Sequence, residues 1–339
     1  MSKIALSEAV IVSAVRTPIG CFRGRLSTLT ATELGGMAIK GAVERAHISP
    51  EEVQEVFIGN VCSAYLRQAP ARQAAVNGGL PASTVCTTIN KVCSSGLKAV
   101  TLAAQALQTR THDVVLAGGI ESMSNVPFYL RRGDTPCEQD DHAIDTYERT
   151  IAAYEDNVFA EEIIPVTVPQ TKGAPVVVAE DDEYKKFNFE TFTKLQPAFQ
   201  NGGTITAGNS ASLNDGGAAV LMMTSEAAVR LKVEPLARVV GYADAEREPI
   251  EFPVAPADAI TKLLEKTGVS KESVSLWEIN EPFSVVGIAN RRILDLEASN
   301  VNVHGSAPIS AMYCVADSWA WPPRVTAVGG ATALMIEKI

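Results

Sequence analysis

No stretch of this 339-residue chain approaches the roughly 18 consecutive apolar residues of a membrane-spanning helix, which argues against a membrane partner. Positive charge is short as well. The 29 Lys and Arg stand against 39 Asp and Glu, a net charge of −10, and a nucleic-acid surface needs a basic footprint that this composition does not supply. The six cysteines (21, 62, 86, 93, 137 and 314) show neither C-x-x-C nor Cys/His ligand spacing. Neither a disulfide framework nor a zinc site is indicated, and a reducing compartment fits. Histidine is scarce, with only four in the chain. Gly118-Gly119 follows a strand-like run but no Gly-x-Gly-x-x-Gly continues it, which disfavours a dinucleotide fingerprint. No address is legible either. The C-terminal Glu-Lys-Ile is not the peroxisomal type, and the strand-like segment beginning at Ala9 leaves little room for a presequence. A cytoplasmic location is therefore expected if this N-terminus is complete.

What is present is an ordinary globular composition, 46% hydrophobic with 24 Gly, long enough for two domains or one double-sized unit. The most informative residue is Cys93, in Asn90-Lys91-Val92-Cys93-Ser94-Ser95-Gly96-Leu97. A polar turn here gives way to a helical pattern, Leu97, Val100, Thr101, Ala104 and Leu107, spaced as one buried face. The reading places the thiol in that helix's first turn, where unpaired N–H groups and the helix dipole lower a thiol's pKa and favour a nucleophile. On the thiol alone, a small buried hydrophobe is the commoner use of a free cysteine, and both readings stand.

A segment of the chain is repeated. His47 to Asn60 matches Gly268 to Glu281 at constant spacing, with Ser49/Ser270, Glu51/Glu272, Val53/Val274 and Ile58/Ile279 coinciding. Each copy reads as a helix, a short turn capped by serine, and a strand ending in a polar turn. Two topologically similar α/β halves follow, rather than a solenoid. The spacing shrinks between the Asn280 turn and the strand at Val325, so the second half is shortened there. Expected limits are 1–233 for the N-terminal half, with an inserted loop domain over about 121–203, and 234–339 for the shortened C-terminal half. Loop insertions commonly carry ligand contacts. Arg131, Arg132, Lys185 and Lys186 read first as solvated charge and second as phosphate contacts.

With these features in hand, the chain resembles the thiolase family of the biosynthetic, mitochondrial type. The resemblance is carried by Val15-Arg16-Thr17-Pro18-Ile19-Gly20, by Gln68 to Ala74, by Thr88 to Gly96, by Ala117-Gly118-Gly119-Ile120-Glu121-Ser122-Met123, by Thr206-Ala207-Gly208-Asn209 with Leu213-Asn214-Asp215-Gly216, and by Trp277 to Ser284. It implies an α/β fold of layered αβαβα type and an acyltransferase that condenses two acetyl-CoA to acetoacetyl-CoA and CoA, and reverses that step. It implies Cys93 as the acylated nucleophile and Asn280 as holder of an oxyanion-hole water. Ser210, Phe283 and Lys186 would contact the substrate, and Tyr184 and Ala207 a potassium ion. No cofactor beyond the CoA thioester substrates, a homo-oligomer (dimer or tetramer) and a mitochondrial location also follow from the resemblance.

The chain departs from the family at two motifs. Ala307 stands where a nucleophile-activating His belongs, and Val325 where a second acid/base Cys belongs; His304 and Cys314 are the nearby substitutes. A further gap at Thr135 to Asp140 removes a CoA-lining segment, and Ala211 replaces a CoA-contacting Ser. These departures imply impaired activity, with a non-catalytic thiolase-like subunit that associates with full-length thiolase as the alternative.

Overall fold

The computed structural model describes residues 6–127, 149, 151–155, 159, 162–170, 173–186, 189–192, 194–198, 203–305, 324–328 and 331–339. Strand β1 (Ala9–Arg16) is buried at all eight positions, the pattern of a strand covered on both faces. The chain continues through β2 (Gly20–Cys21), α1 (Ala31–Arg45), β3 (Glu55–Gly59), α2 (Pro70–Asn77), β4 (Val85–Ile89), α3 (Ser95–Gln108) and β5 (Val114–Ser122). After a short hairpin of β6 (Val166–Val168) and β7 (Val176–Val178) it resumes with β8 (Asn214–Thr224), α4 (Ser225–Leu231), β9 (Ala237–Asp244) and α5 (Ala255–Thr267). It closes with β10 (Leu276–Ile279), α6 (Ser284–Leu294), β11 (Arg324–Val328) and β12 (Thr332–Lys338).

Helix limits follow local chemistry. Thr30 and Glu33 close a reciprocal capping box at the start of α1. Gly268 ends α5 at φ 69°, a left-handed position that suits glycine. The repeated turns at Pro50–Glu52 and Lys271–Ser273 are both single 3₁₀ turns preceded by Ser49 and Ser270. Those serines hold the capping position without a side-chain cap bond, and Ser49 Oγ donates instead to Glu51.

The duplication is visible in the pairing. In the first half the strand order is β4-β3-β5-β8-β1, and in the second β10-β11-β12-β9. The pairs β3/β5 and β10/β11 are parallel, and the pairs β5/β8 and β11/β12 antiparallel. At the position equivalent to β4, the described residues of the second half show the single parallel bridge Trp277–Val301. The halves join into one continuous sheet through β1 and β9, over only Val10–Arg238 and Ile11–Ala237.

Layers cover this sheet. One core gathers α1 and α2 against the first half, with Val43, Ile39, Ile58, Leu116 and Leu221. A second gathers α3, whose Leu97, Val100, Ala104 and Leu107 are buried together with Ile11, Val115 and Val220 and with Val239, Leu334 and Ile336 of the other half. A third packs α5 on the second half through Ile260, Leu263, Trp277 and Met335. Helix, first half of the sheet, helix, second half of the sheet, helix is the resulting succession, and α3 is its middle layer.

The inserted segment is fastened to this frame by a buried ion cluster. Arg16, 2% exposed, donates from Nε to Glu162 (2.6 Å) and from Nη1 to Asp181 (2.8 Å) and faces the Phe159 ring. Arg16 beside it, helped by Tyr154 and the Ile19 N–H, overcomes the cost of burial and holds the Asp181 carboxyl below its ordinary range.

Candidate active site

The thiol of Cys93 sits two residues before α3, with Ser94 at the capping position. It is thus just outside the first turn that the sequence suggested. The turn is tight. Val92 takes φ 48°, a left-handed conformation that is strained for a β-branched residue. Ser95 Oγ locks the turn by accepting from Lys91 N (2.8 Å) and donating to Val92 O (2.6 Å). The start of α3 presses against the end of β3, where a Cβ on Gly59 would lie 2.4 Å from Gly96 N. Glycine is required there.

Cys93 lines a cavity of about 120 Å³ at the C-terminal ends of β3 and β5, with Asn60, Cys62, Glu121, Met123, Ser212 and Asn214 also on its wall. Ligands in open α/β sheets favour that end of the strands. Glu121 is 7% exposed and accepts Asn60 Nδ2 (2.9 Å), Val61 N (3.0 Å) and Cys62 N (3.0 Å). Burial nevertheless pushes its carboxyl pKa up.

Burial works against the lowered pKa expected from the helix start. Burial pushes the Cys93 thiol up, its own N–H offsets part of that, and the Glu121 charge raises it further. Desolvation in this cavity opposes the thiolate that the helix start favours.

Asn280 lies at the end of β10, 1% exposed, and neither Nδ2 nor Oδ1 has a hydrogen-bond partner among the described residues. A buried amide in that state calls for water or ligand. Ser210 and Phe283 are brought together by an antiparallel bridge that joins the 204–213 segment to the turn after β10. Ser210 Oγ is spent on Thr206 O (2.7 Å), and the Phe283 ring meets Phe252 edge-on at 6.5 Å. Lys186 ends a 3₁₀ turn, Glu183–Lys186; its side chain lies outside the described residues. Tyr184 stacks on Tyr154 at 4.3 Å, and Ala207 is exposed in the turn that Thr206 and Asn209 close on themselves. Among the described residues no group of three metal-ligating side chains occurs. Ala307, Cys314, Arg131, Arg132 and the 135–140 gap lie outside the described residues. Val325 is in β11, paired with Trp277.

The sequence reading passed over Cys62, Glu121 and Asn60 as site residues. Their positions at the carboxyl ends of β3 and β5, beside the turn that precedes α3, were the available clue.

A cavity-lining thiol at a strained turn between sheet and helix, in a pseudo-duplicated αβαβα frame, is the arrangement of an acyltransferase of the thiolase type. The chain belongs to the thiolase family. Its residues 9–136 and 134–226 match the family description "Thiolase, N-terminal domain" and 233–311 match "Thiolase, C-terminal domain". It is 47% identical over 348 residues to the mitochondrial acetyl-CoA acetyltransferase of Bos taurus, covering 91% of this chain and 82% of that one. It is 45% identical to the Mus musculus protein of the same name over 394 residues, covering 100% and 93%. That alignment is longer than this chain, so the relative carries positions that this chain lacks. Among solved structures, the Acat5 thiolase of Ascaris suum in complex with coenzyme A superposes with TM-score 0.89 at 37% identity, covering 98% of this chain and 100% of that one. The acetyl-CoA acetyltransferase of Bacillus anthracis does so with TM-score 0.92 at 31% identity, covering 99% and 100%.

Proposed function

We propose that this chain is an acetyl-CoA C-acetyltransferase that works through an acyl-Cys93 intermediate, condensing two acetyl-CoA to acetoacetyl-CoA and CoA and cleaving acetoacetyl-CoA in reverse. The observation that carries the reading is the Cys93 thiol on the wall of a cavity at the start of α3, within a chain matched to thiolases along most of its length. In thiolysis the Cys93 sulfur adds to the ketone carbon, the adjacent carbon–carbon bond breaks, and CoA thiol then takes the acetyl group from Cys93. Each addition places negative charge on an oxygen, where fixed donors act best. The Cys93 N–H is the first such donor in this reading. The Asn280 amide, which has no side-chain partner among the described residues, holds a water and serves the second. Ser210 and Phe283, which form one bridge, are the proposed CoA-side contacts, with Lys186 beyond them. A potassium ion near Tyr184 and Ala207 belongs to the same reading.

The chain divides at about 233/234, with the loop domain spanning about 121–203; the repeated strand orders support that division. A homo-oligomer fits the outer edge of β4, which pairs with no further strand among the described residues and where Val85 is exposed. The mitochondrial relatives support a mitochondrial location; among the described residues no helix is long and apolar enough to cross a membrane.

One observation favours a second reading, a non-catalytic subunit that joins full-length thiolase: the cavity wall holds no His or Lys among the described residues, and its thiol pKa is raised. A single experiment separates the two. Purified protein is incubated with acetyl-CoA and Cys93 examined for an acetyl group by mass spectrometry, then acetoacetyl-CoA thiolysis is assayed. Acetylation with turnover supports the enzyme; an unmodified Cys93 in folded protein overturns it.

A further inference from the structure

We propose that Cys62 is the second working thiol of this site, the acid that protonates the carbon released when the 3-ketoacyl chain is cleaved and the base that removes that proton in condensation. The inference rests on the thioester reading above and assigns one residue within it. Cleavage leaves an electron pair on the carbon next to a thioester carbonyl, and that carbon must gain a proton. Cys93 cannot give it, because its sulfur then holds the acyl group.

The remaining titratable side chains on the cavity wall, among the described residues, are Glu121 and Cys62. Glu121 already takes three N–H donors with its two oxygens. Cys62 is a free, partly exposed thiol, and its backbone is fixed because its own N–H is one of those donors. Burial and the neighbouring Glu121 charge raise its pKa, so it enters the reaction protonated.

A third group marks the same space as a ligand site. Asn60 is 2% exposed, and its Nδ2 is engaged by Ile120 O (3.1 Å) and Glu121 (2.9 Å). Its Oδ1 has no partner among the described residues although the residue lines the cavity. A buried acceptor without a donor is where a substrate or water hydrogen belongs.

The step balances with solvent water as the only other participant. Water takes the Cys93 proton as its sulfur bonds to the ketone carbon, the carbon–carbon bond breaks toward the thioester side, and the Cys62 S–H proton passes to the carbon that receives the electron pair, giving acetyl-CoA. The Cys62 thiolate then takes the proton of the CoA thiol as the CoA sulfur attacks acetyl-Cys93, and the Cys93 thiolate that leaves regains its proton from water, which restores both thiols to their starting state.

The test reads proton transfer apart from acylation. Cys93→Ala cannot form the acyl-enzyme, yet Cys62 in it should still exchange the methyl hydrogens of acetyl-CoA with deuterium in D2O, followed by mass spectrometry. The double variant Cys93→Ala/Cys62→Ala should lose that exchange at least tenfold, and Cys62→Ser in place of Cys62→Ala should lose it equally, since a hydroxyl keeps the shape but not the acidity. No exchange in folded Cys93→Ala, or exchange unchanged in folded double variants, overturns the assignment. If neither Cys62 variant folds, alkylation of Cys62 in folded Cys93→Ala replaces them: abolished exchange supports the assignment and unaltered exchange overturns it. Acetylation of Cys93 in otherwise native protein is scored separately, so its absence counts against the thioester reading and not against Cys62.

Discussion

Lys91 Nζ lies 3.0 Å from Asp244 Oδ1 and 3.1 Å from the carbonyl of Ala331, so the turn that presents Cys93 is fastened to the second half of the chain. Lys98 on α3 reaches the other oxygen of the same carboxylate, and Thr332 Oγ1 joins from β12. Partial burial opposes the charge on Asp244, but these donors hold its pKa down at about 2. Lys91→Met should lower kcat about tenfold with little change in KM, because about 1.4 kcal/mol of misplaced nucleophile suffices. Lys91→Arg should recover part of the loss. Steady-state thiolysis checks both.

The same carboxylate gives a pH prediction. Its folded pKa is depressed, so its stabilisation is present above the unfolded value near 4 and disappears as the pH falls toward 2. Asp244 is 40% exposed, and after solvent screening the contribution is about 1 kcal/mol or less. Thermal melts of Asp244→Asn and the parent protein should differ at pH 6 and converge near pH 2.

For Cys93 the sign is opposite. Burial raises its pKa, with Glu121 adding to the rise. Alkylation of Cys93 should accelerate with pH and inflect above the ordinary cysteine range of about 8.5, and in Glu121→Gln the inflection should move to lower pH. The raised value also means that the thiol favours the folded state below its unfolded pKa and ceases to do so as the pH climbs through the folded one. An inflection below 8 in the parent protein would contradict the desolvation account.

How much of this was legible beforehand depended on range. The buried face of α3 was readable because Leu97, Val100, Ala104 and Leu107 repeat at helical spacing. The paired turns after Ser49 and Ser270 were readable because the same short motif recurs. The joining of the two halves was not, since β1 and β9 meet over two residue pairs and no local pattern encodes so brief a contact. The burial of Cys93 was hidden for a related reason. The helix start is local, whereas the surroundings that push its pKa up include Glu121 on β5. By sequence Asn280 is an ordinary turn residue after a strand; its burial with no side-chain partner among the described residues sets it apart.

Arg16 offers a stability test. Removing it strands Asp181, which is fully buried, without its cation. Arg16→Met should cost about 3–5 kcal/mol in urea unfolding, and the double variant Arg16→Met/Asp181→Asn should recover part of that. Equal stability of the single variant and the parent would show that the cluster contributes nothing net.

Gly59→Ala should strike activity harder than stability. Its methyl would meet the backbone at Ser95 and Gly96, displacing the start of α3 at a cost of about 1–3 kcal/mol. A kcat loss exceeding that expected from the melting shift, measured on the same preparation, is the predicted outcome.

The middle helix is completed by both halves of the chain. Ile11 of β1 shares its core with Leu334 and Ile336 of β12. The first half by itself therefore carries the greasy underside of α3 uncovered. Chaperone occupancy on nascent chains should persist until β12 has emerged, and removal of that strand should convert a folded protein into an aggregating one.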